Sequence, residues 1–378
     1  MPDSPKKVLL LQASIGNGHL RASLAIQEEL QRQRPDWEIQ TVDSLDYISK
    51  LVEGIYKDWY SFAIRRAPVA WKYIYKETED FRKFQQIVFK PRVVLEEMNA
   101  WKLERLIKKI EPDVIVNTHH LPLSLVSYWK KHRRFASARN LAVLTDYSGH
   151  RFWVHPGVER YYVATDEVGA YINSQGVTPT IVKPFGIPIS HRFLREFDRY
   201  QLRAKYQLAS QAPTVLMIVD GIEKIFLHKM VRQLQVMRWP LQGFIISGSP
   251  KVRADLAEQL KTTVHKLRVI DRVSNIEEYY AVADVLVSKS GGLTIAETLA
   301  MGLPLIVVNP IMGQEETNRN FLLEQGAALN VEIPDLLDYK INLFFRDADK
   351  RAALQKNIRR LAKPQAARDV ARDIINLV

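Results

Sequence analysis

The chain has 378 residues, of which 47% are hydrophobic and 25% charged, with a formal net charge of +12. That length suits two ordinary domains and that composition suits a water-soluble globular protein. The absence of cysteine excludes disulfides, thiolate nucleophiles, Cys–zinc sites and iron–sulfur clusters, while the basic excess suits nucleic acid or anionic lipid without choosing between them.

The opening "MPDSPKKVLLLQAS" does not read as a signal peptide, because its short apolar run leads into a glycine turn rather than a cleavage site. No run of about 18 apolar residues is present, so no spanning helix is expected. "KKVLLLQAS" (6–14) reads as a buried strand, followed by "IGNGH" and an amphipathic helix, "LRASLAIQEELQRQ". Further strands are expected at 38–47, 113–120, 140–147, 160–168 and within 178–190. A second alternating series starts at "APTVLMIVD" (212–220) and continues at 241–250, 266–273, 283–288 and 303–310. Alternating short apolar strands and helices imply parallel sheets covered on both faces, with ligands at the carboxyl ends of the strands. The fold class is α/β: two Rossmann-like domains facing a cleft, divided near the Gly-Ile-Pro at 186–188.

Residues 50–110 break the alternation. Aromatic and basic residues interleave over 56–90. They suit the core and solvated face of an inserted helical pair, or a helix lying on an anionic membrane surface. Single-stranded nucleic acid would suit them too, but no RNA-binding signature accompanies them.

"SIGNGHLRAS" (14–23) follows the first strand. Gly16 and Gly18 match the first two glycines of a dinucleotide fingerprint, and Asp43 could serve as its ribose acid. The third position, however, is Arg21, and His19 stands where a pyrophosphate would approach. His19 is instead expected at a helix N-terminus, neutral near pH 7 because the helix dipole disfavours its charged form. It could then accept a proton from a substrate hydroxyl, or simply cap the helix. "NTHHLP" and "TDYSGHRFWVHP" gather His119, His120, Asp146, His150 and His155 after strands of the first half. A metal site is possible on residue type, but no tight ligand pair on one helix appears. A polar rim around an acceptor pocket is the preferred reading, with Asp146 a second base, an orienter of the base, or a turn cap.

"SKSGGLTIAETLAMGLPLIVVNPIMGQE" (288–315) reads as strand end, double glycine, helix with Gly302 as its stop, and strand. A glycine turn entering a helix N-terminus offers free N–H groups and a positive dipole end to a phosphate. Glu297 lies one turn into that helix, within reach of a hydroxylated group beside the phosphate.

Together, "SIGNGHLRA", "TDYSGHRFWVHP", "PFGIP", the 288–318 stretch and "FLLEQGAA" resemble the diacylglycerol glycosyltransferases, the monogalactosyl- and processive glucosyl-diacylglycerol synthases. A more distant likeness is to the peptidoglycan lipid-linked N-acetylglucosamine transferase. The resemblance implies a GT-B fold, with an acceptor and membrane-binding domain over 1–188 and a UDP-sugar domain over 189–363. A C-terminal helix over 364–378 would pack back on the first domain. It also implies inverting transfer of a hexose from UDP-glucose or UDP-galactose to diacylglycerol, without a metal or other cofactor. The glycine loop with Gly18 and His19 would face the reacting centre. Ser290, Gly291 and Gly292 would hold the diphosphate, with Ser247 and Gly248 lining the same donor site. Glu297 would take the ribose, Val273 would mark the uracil, and Gln314, Glu315 and Asn318 would meet the sugar. His119, His120 and His150 would lie on the acceptor side. The implied partners are UDP-sugar, diacylglycerol and anionic membrane lipids, not nucleic acid, at the cytoplasmic face of the cell membrane. "IVDGIEKIF" departs from the family, having only Gly221 where a run of glycines is usual. That departure keeps a non-catalytic, membrane-bound UDP-sugar sensor as an alternative, beside N-acetylglucosamine transfer to a lipid-linked peptidoglycan precursor and an epimerase on the same fold.

Overall fold

The computed structural model describes residues 5–14, 16–48, 100–237, 240–311 and 313–378. The aromatic and basic stretch at 56–90 lies outside them. The chain forms two compact units: unit 1 is Met1–His191, Met312–Gln314 and Lys363–Val378, and unit 2 is Arg192–Ile311 and Glu315–Ala362.

Unit 1 holds strands β1 (Lys7–Gln12), β2 (Glu38–Asp43), β3 (Val114–Asn117), β4 (Arg139–Val143), β5 (Arg160–Tyr162) and β6 (Val182–Lys183). They form one parallel sheet in the order β2-β1-β3-β4-β5-β6. Among its described helices are α1 (Gly18–Gln33), α2 (Trp101–Ile110), α3 (His120–Lys131) and α4 (Asp166–Ser174). β1 shows why the strands read as unbroken apolar runs. Leu9 and Leu11 pack with Leu103, Ile107 and Trp129 on one face. Val8 and Leu10 pack with Ile26 and Leu30 of α1 on the other, as the two-residue period of a strand requires.

Unit 2 opens with α5 (Arg199–Lys205) and contains β7 (Thr214–Ile218), β8 (Gln242–Ile246), β9 (Lys266–Ile270), β10 (Val285–Ser288), β11 (Leu305–Val308) and β12 (Ala328–Val331). The order is β12-β11-β10-β7-β8-β9, again parallel. Between and after the strands lie α6 (Lys224–Val236), α7 (Pro250–Leu260), α8 (Ile276–Val282), α9 (Gly292–Met301), α10 (Gln314–Glu324), α11 (Leu337–Arg346) and α12 (Ala348–Leu361). The last helix, α13 (Ala366–Leu377), belongs to unit 1, where Val370, Ala371 and Ile374 enter the core beside Ile26 and Leu30.

The expected strands exist, but they are shorter than their apolar runs. Over 178–190 only Val182–Lys183 is strand, preceded by a 3₁₀ turn at Pro179–Ile181. β12 was not expected; it is four residues long and includes Asn330, so its apolar signal is weak. Gly302 ends α9 at φ 66°, a left-handed conformation that favours glycine. Strand order reverses between β1 and β3 in unit 1 and between β7 and β10 in unit 2. Such reversals open a crevice at the carboxyl ends of the strands.

Candidate functional site

The reversal in unit 1 brings the turn after β1 beside the end of β3. Gly16 turns the chain at φ 88° and α1 starts at Gly18, which places His19 in its first turn. His19 Nδ1 lies 2.7 Å from the Thr118 carbonyl oxygen and 3.0 Å from Thr145 Oγ1. A carbonyl oxygen only accepts, so Nδ1 carries the proton and Nε2 of the neutral ring keeps its lone pair. The Thr118 hydroxyl donates to the His19 carbonyl at 3.0 Å and bonds Ser23 Oγ at 2.8 Å. Burial pushes the imidazole down from 6.5 to about 4, against the opposing pull of the Thr118 carbonyl. The neutral ring expected from the sequence is therefore present, but desolvation is its main cause rather than the helix dipole.

The other histidines cluster around it. The His119 ring meets His19 edge-on at 4.6 Å, and His120 lies 4.3 Å from His119 while stacking on Phe152 at 5.1 Å. His119 and His150 are buried N-caps. Their Nδ1 atoms accept from the N–H groups of Leu121 and Phe152, each at 3.1 Å. His155 bonds the Phe152 carbonyl through Nε2 at 2.9 Å. Two of the expected rim histidines, His119 and His150, thus stabilise helix starts. Asp146 is buried and accepts from the side-chain amide of Gln314. Asp43 accepts from Leu45 N at 3.0 Å and Ser14 N at 3.3 Å, and so caps the turn after β2. Among the described residues, no group of three or more His, Asp or Glu is arranged to hold a metal ion.

In unit 2 the loop after β10 runs through Lys289, Ser290 and Gly291 into α9. Ser290 Oγ donates to the Glu315 carbonyl at 2.7 Å, and Asn318 Nδ2 donates to the Ser290 carbonyl at 3.1 Å. The Glu315 carboxylate receives Lys289 Nζ at 3.2 Å and Ile311 N at 2.8 Å. Glu315 and Asn318 therefore hold the loop itself. Gly291 and Gly292 put no side chain in front of the α9 N-terminus, which leaves its backbone to face an anion. Glu297 is buried and accepts from the Tyr280 hydroxyl at 3.2 Å.

The turn after β7 carries Asp220 where the glycine run was missing. Its carboxylate accepts from Gly248 N at 2.9 Å, Ser247 Oγ at 3.1 Å and Arg272 Nε at 2.7 Å. Ser247, Gly248, Arg272 and the half-buried Val273 are thereby gathered at the carboxyl ends of β7, β8 and β9. Asp220, Arg272, Thr118, Thr145 and Tyr280 were not singled out from sequence. Four of them follow a strand directly or within two residues, which is the signal that could have found them.

Residues 19–189 match the family model for monogalactosyldiacylglycerol (MGDG) synthase, and residues 224–373 match that for the glycosyltransferase family 28 C-terminal domain. The processive diacylglycerol beta-glucosyltransferase of Bacillus licheniformis is 30% identical, with 98% of this chain and 94% of that protein covered. Its Bacillus subtilis counterpart is 29% identical, with 98% and 95% covered. Among solved structures, Acinetobacter baumannii MurG is similar at TM-score 0.61 and 15% identity, covering 99% of this chain and 100% of that one. Anabaena HepE in complex with UDP-glucose is similar at TM-score 0.59 and 11% identity, covering 98% and 100%. At those identities the likeness establishes the fold, which is GT-B.

Proposed function

Because the chain belongs to the diacylglycerol glycosyltransferase family, a family of hexosyltransferases, we propose that it transfers glucose from UDP-glucose to diacylglycerol. The product would be a β-glucosyl-diacylglycerol. The observation that carries the chemistry is the His19–Thr118 bond, because it leaves Nε2 as the proton acceptor of a ring that stays neutral at pH 7. In the reaction the lipid hydroxyl attacks the anomeric carbon of glucose. His19 Nε2 takes the hydroxyl proton, the bond from the anomeric carbon to the phosphate oxygen breaks, and UDP leaves with the electron pair. Asp146 is the second candidate for the base.

On the donor side, the Ser290–Gly292 turn and the α9 N-terminus would hold the diphosphate, an electrostatic stabilisation of the leaving group. Glu297 would take the ribose hydroxyls. Gln314, Glu315 and Asn318 would shape the sugar subsite, and Val273 with Ser247 and Gly248 the uracil side. The +12 charge supports peripheral attachment to anionic lipid, and among the described residues no helix is long and apolar enough to cross a membrane.

Incubation of the purified chain with diacylglycerol vesicles and UDP-glucose, UDP-galactose or UDP-N-acetylglucosamine tests this reading. Mass spectrometry of the lipids should show hexosyl-diacylglycerol with UDP-glucose. Consumption of none of the three donors would overturn it, and turnover of donor without acceptor would indicate an epimerase instead.

A further inference from the structure

Unit 2 has a cavity of about 530 Å³ at the opposite end of its sheet from the donor loops. It lies by Pro213 and Pro304, at the amino ends of β7 and β11, whereas Ser290 and Asp220 follow the carboxyl ends of β10 and β7. Its size is that of a small-molecule pocket.

Arg199, Arg203 and Arg351 line it, against a single carboxylate, Asp284. Asp284 is already committed: it receives Arg199, Arg203 and the Thr214 N–H. The arginines partly serve the fold. Arg199 uses Nη2 on the carbonyls of Val282 and Ala283 and on Asp284, and Arg351 uses Nη1 on the carbonyls of Phe344 and Phe345. The remaining N–H groups of these two forks make no bond to the described residues. Three guanidinium groups against one carboxylate leave a net charge of +2, which repels cations and rewards an anion. A phosphate group matches planar guanidinium forks in both charge and geometry.

One wall of the cavity is Tyr280. Its ring is buried and its hydroxyl donates to Glu297, the carboxylate assigned above to the ribose of the donor. A ligand pressing on Tyr280 therefore bears on the orientation of Glu297 through a single side chain. We propose that this cavity binds a phosphate-bearing small molecule and regulates donor affinity through the Tyr280–Glu297 contact. The regulatory half of the proposal rests on the donor role of Glu297.

The test is calorimetric titration of the full chain with sn-glycerol 3-phosphate, with saturating UDP filling the donor site. A parallel arm uses phosphatidylcholine vesicles with and without phosphatidate, which separates a free phosphate ester from a lipid headgroup. Binding in either arm is expected, and it should be lost in the R199Q/R351Q double variant. Gln355→Glu, which adds a negative charge at a half-buried lining position without removing a carbonyl partner, should weaken it as well. The Kd of UDP should change by about fivefold or more when the ligand is present, the lower range of allosteric coupling. Tyr280→Phe should keep the phosphate ligand and lose that change. Silence in both arms, or binding that survives both the double variant and Gln355→Glu, would overturn the proposal, as would a UDP affinity indifferent to bound ligand. Failure of the wild type to bind UDP would overturn the donor-site reading and the coupling with it, while titration without UDP still decides the cavity.

Discussion

His19 Nδ1 sits 2.7 Å from the carbonyl oxygen of Thr118, so the tautomer of the candidate base is set by the backbone at the end of the neighbouring strand. His19→Ala should lower turnover by about 10²–10⁴-fold, the range for loss of a general base. UDP affinity should change little, because the residues assigned to UDP itself belong to the other unit. Isothermal binding and steady-state rates on one preparation check both halves of the claim. Near-normal turnover would move the base to Asp146.

The pH dependence follows from the same burial. His19 in the folded protein titrates near 4 rather than 6.5, so the acid limb of activity should fall close to pH 4 if His19 is the base. Stability has a matching sign. Between pH 6.5 and about 4 the unfolded chain binds a proton that the folded chain refuses. This stabilisation is complete above the unfolded value and is lost as pH falls through that window. Thermal melts of wild type and His19→Gln from pH 7.5 to 4.5 should show a shallower decline in the variant.

Thr145→Val removes a hydroxyl from Nδ1 but leaves the Thr118 carbonyl in place. Its expected cost is a modest loss of kcat, within about tenfold, with unchanged UDP affinity. Thr118→Val is the harsher change. It strands Ser23 Oγ, and a stranded buried polar group costs about 1–3 kcal/mol. Denaturant melts should register this loss even before activity is measured.

Glu297→Gln keeps an acceptor for Tyr280 while removing the charge offered to ribose. UDP should bind more weakly, by up to about 1.5–3 kcal/mol, the worth of a hydrogen bond to a charged group. Gln314→Ala should leave UDP nearly unaffected and weaken only UDP-glucose. Equal losses for UDP in both variants would reverse the assignment.

Gly243→Ala tests the fold of unit 2. Gly243 sits in β8 at φ 138°, and a Cβ there would come 1.9 Å from the Val215 carbonyl oxygen in β7. Backbone cannot step aside as a flexible side chain can. The variant should lose about 3 kcal/mol or more, or fail to accumulate as folded protein. Gly248→Ala, whose Cβ would first meet the Arg272 side chain rather than backbone, should be far milder.

The parallel sheets were legible because strands buried on both faces write themselves as apolar runs. β1, with Leu9 and Leu11 on one side and Val8 and Leu10 on the other, is the clearest case. The Ser290–Gly292 turn was legible as a strand-to-helix connection because an apolar run precedes its glycines and a helical pattern ending at Gly302 follows them. The partners of each site residue were not. Thr118 reaches His19 across 99 residues of sequence and Tyr280 reaches Glu297 across 17, so neither pairing leaves a local pattern. Asp220 was hidden in the same way. It is a lone carboxylate two residues after β7, and its partners follow β8 and β9, so it leaves no local pattern.

The last helix sets a timetable for synthesis. Val370 and Ile374 of α13 complete the core on the α1 face of the first sheet, yet they leave the ribosome only after the second unit. From His191 to Ile374, 183 further residues must be made, the difference between 191 and 374. At ~5–20 residues per second that is roughly 10–40 s during which Ile26 and Leu30 lack their final neighbours. The nascent first unit must wait in an unfinished state, exposed to chaperones and proteases, while the intervening unit is made. A stop codon before Ala366 would therefore cripple the beginning of the protein.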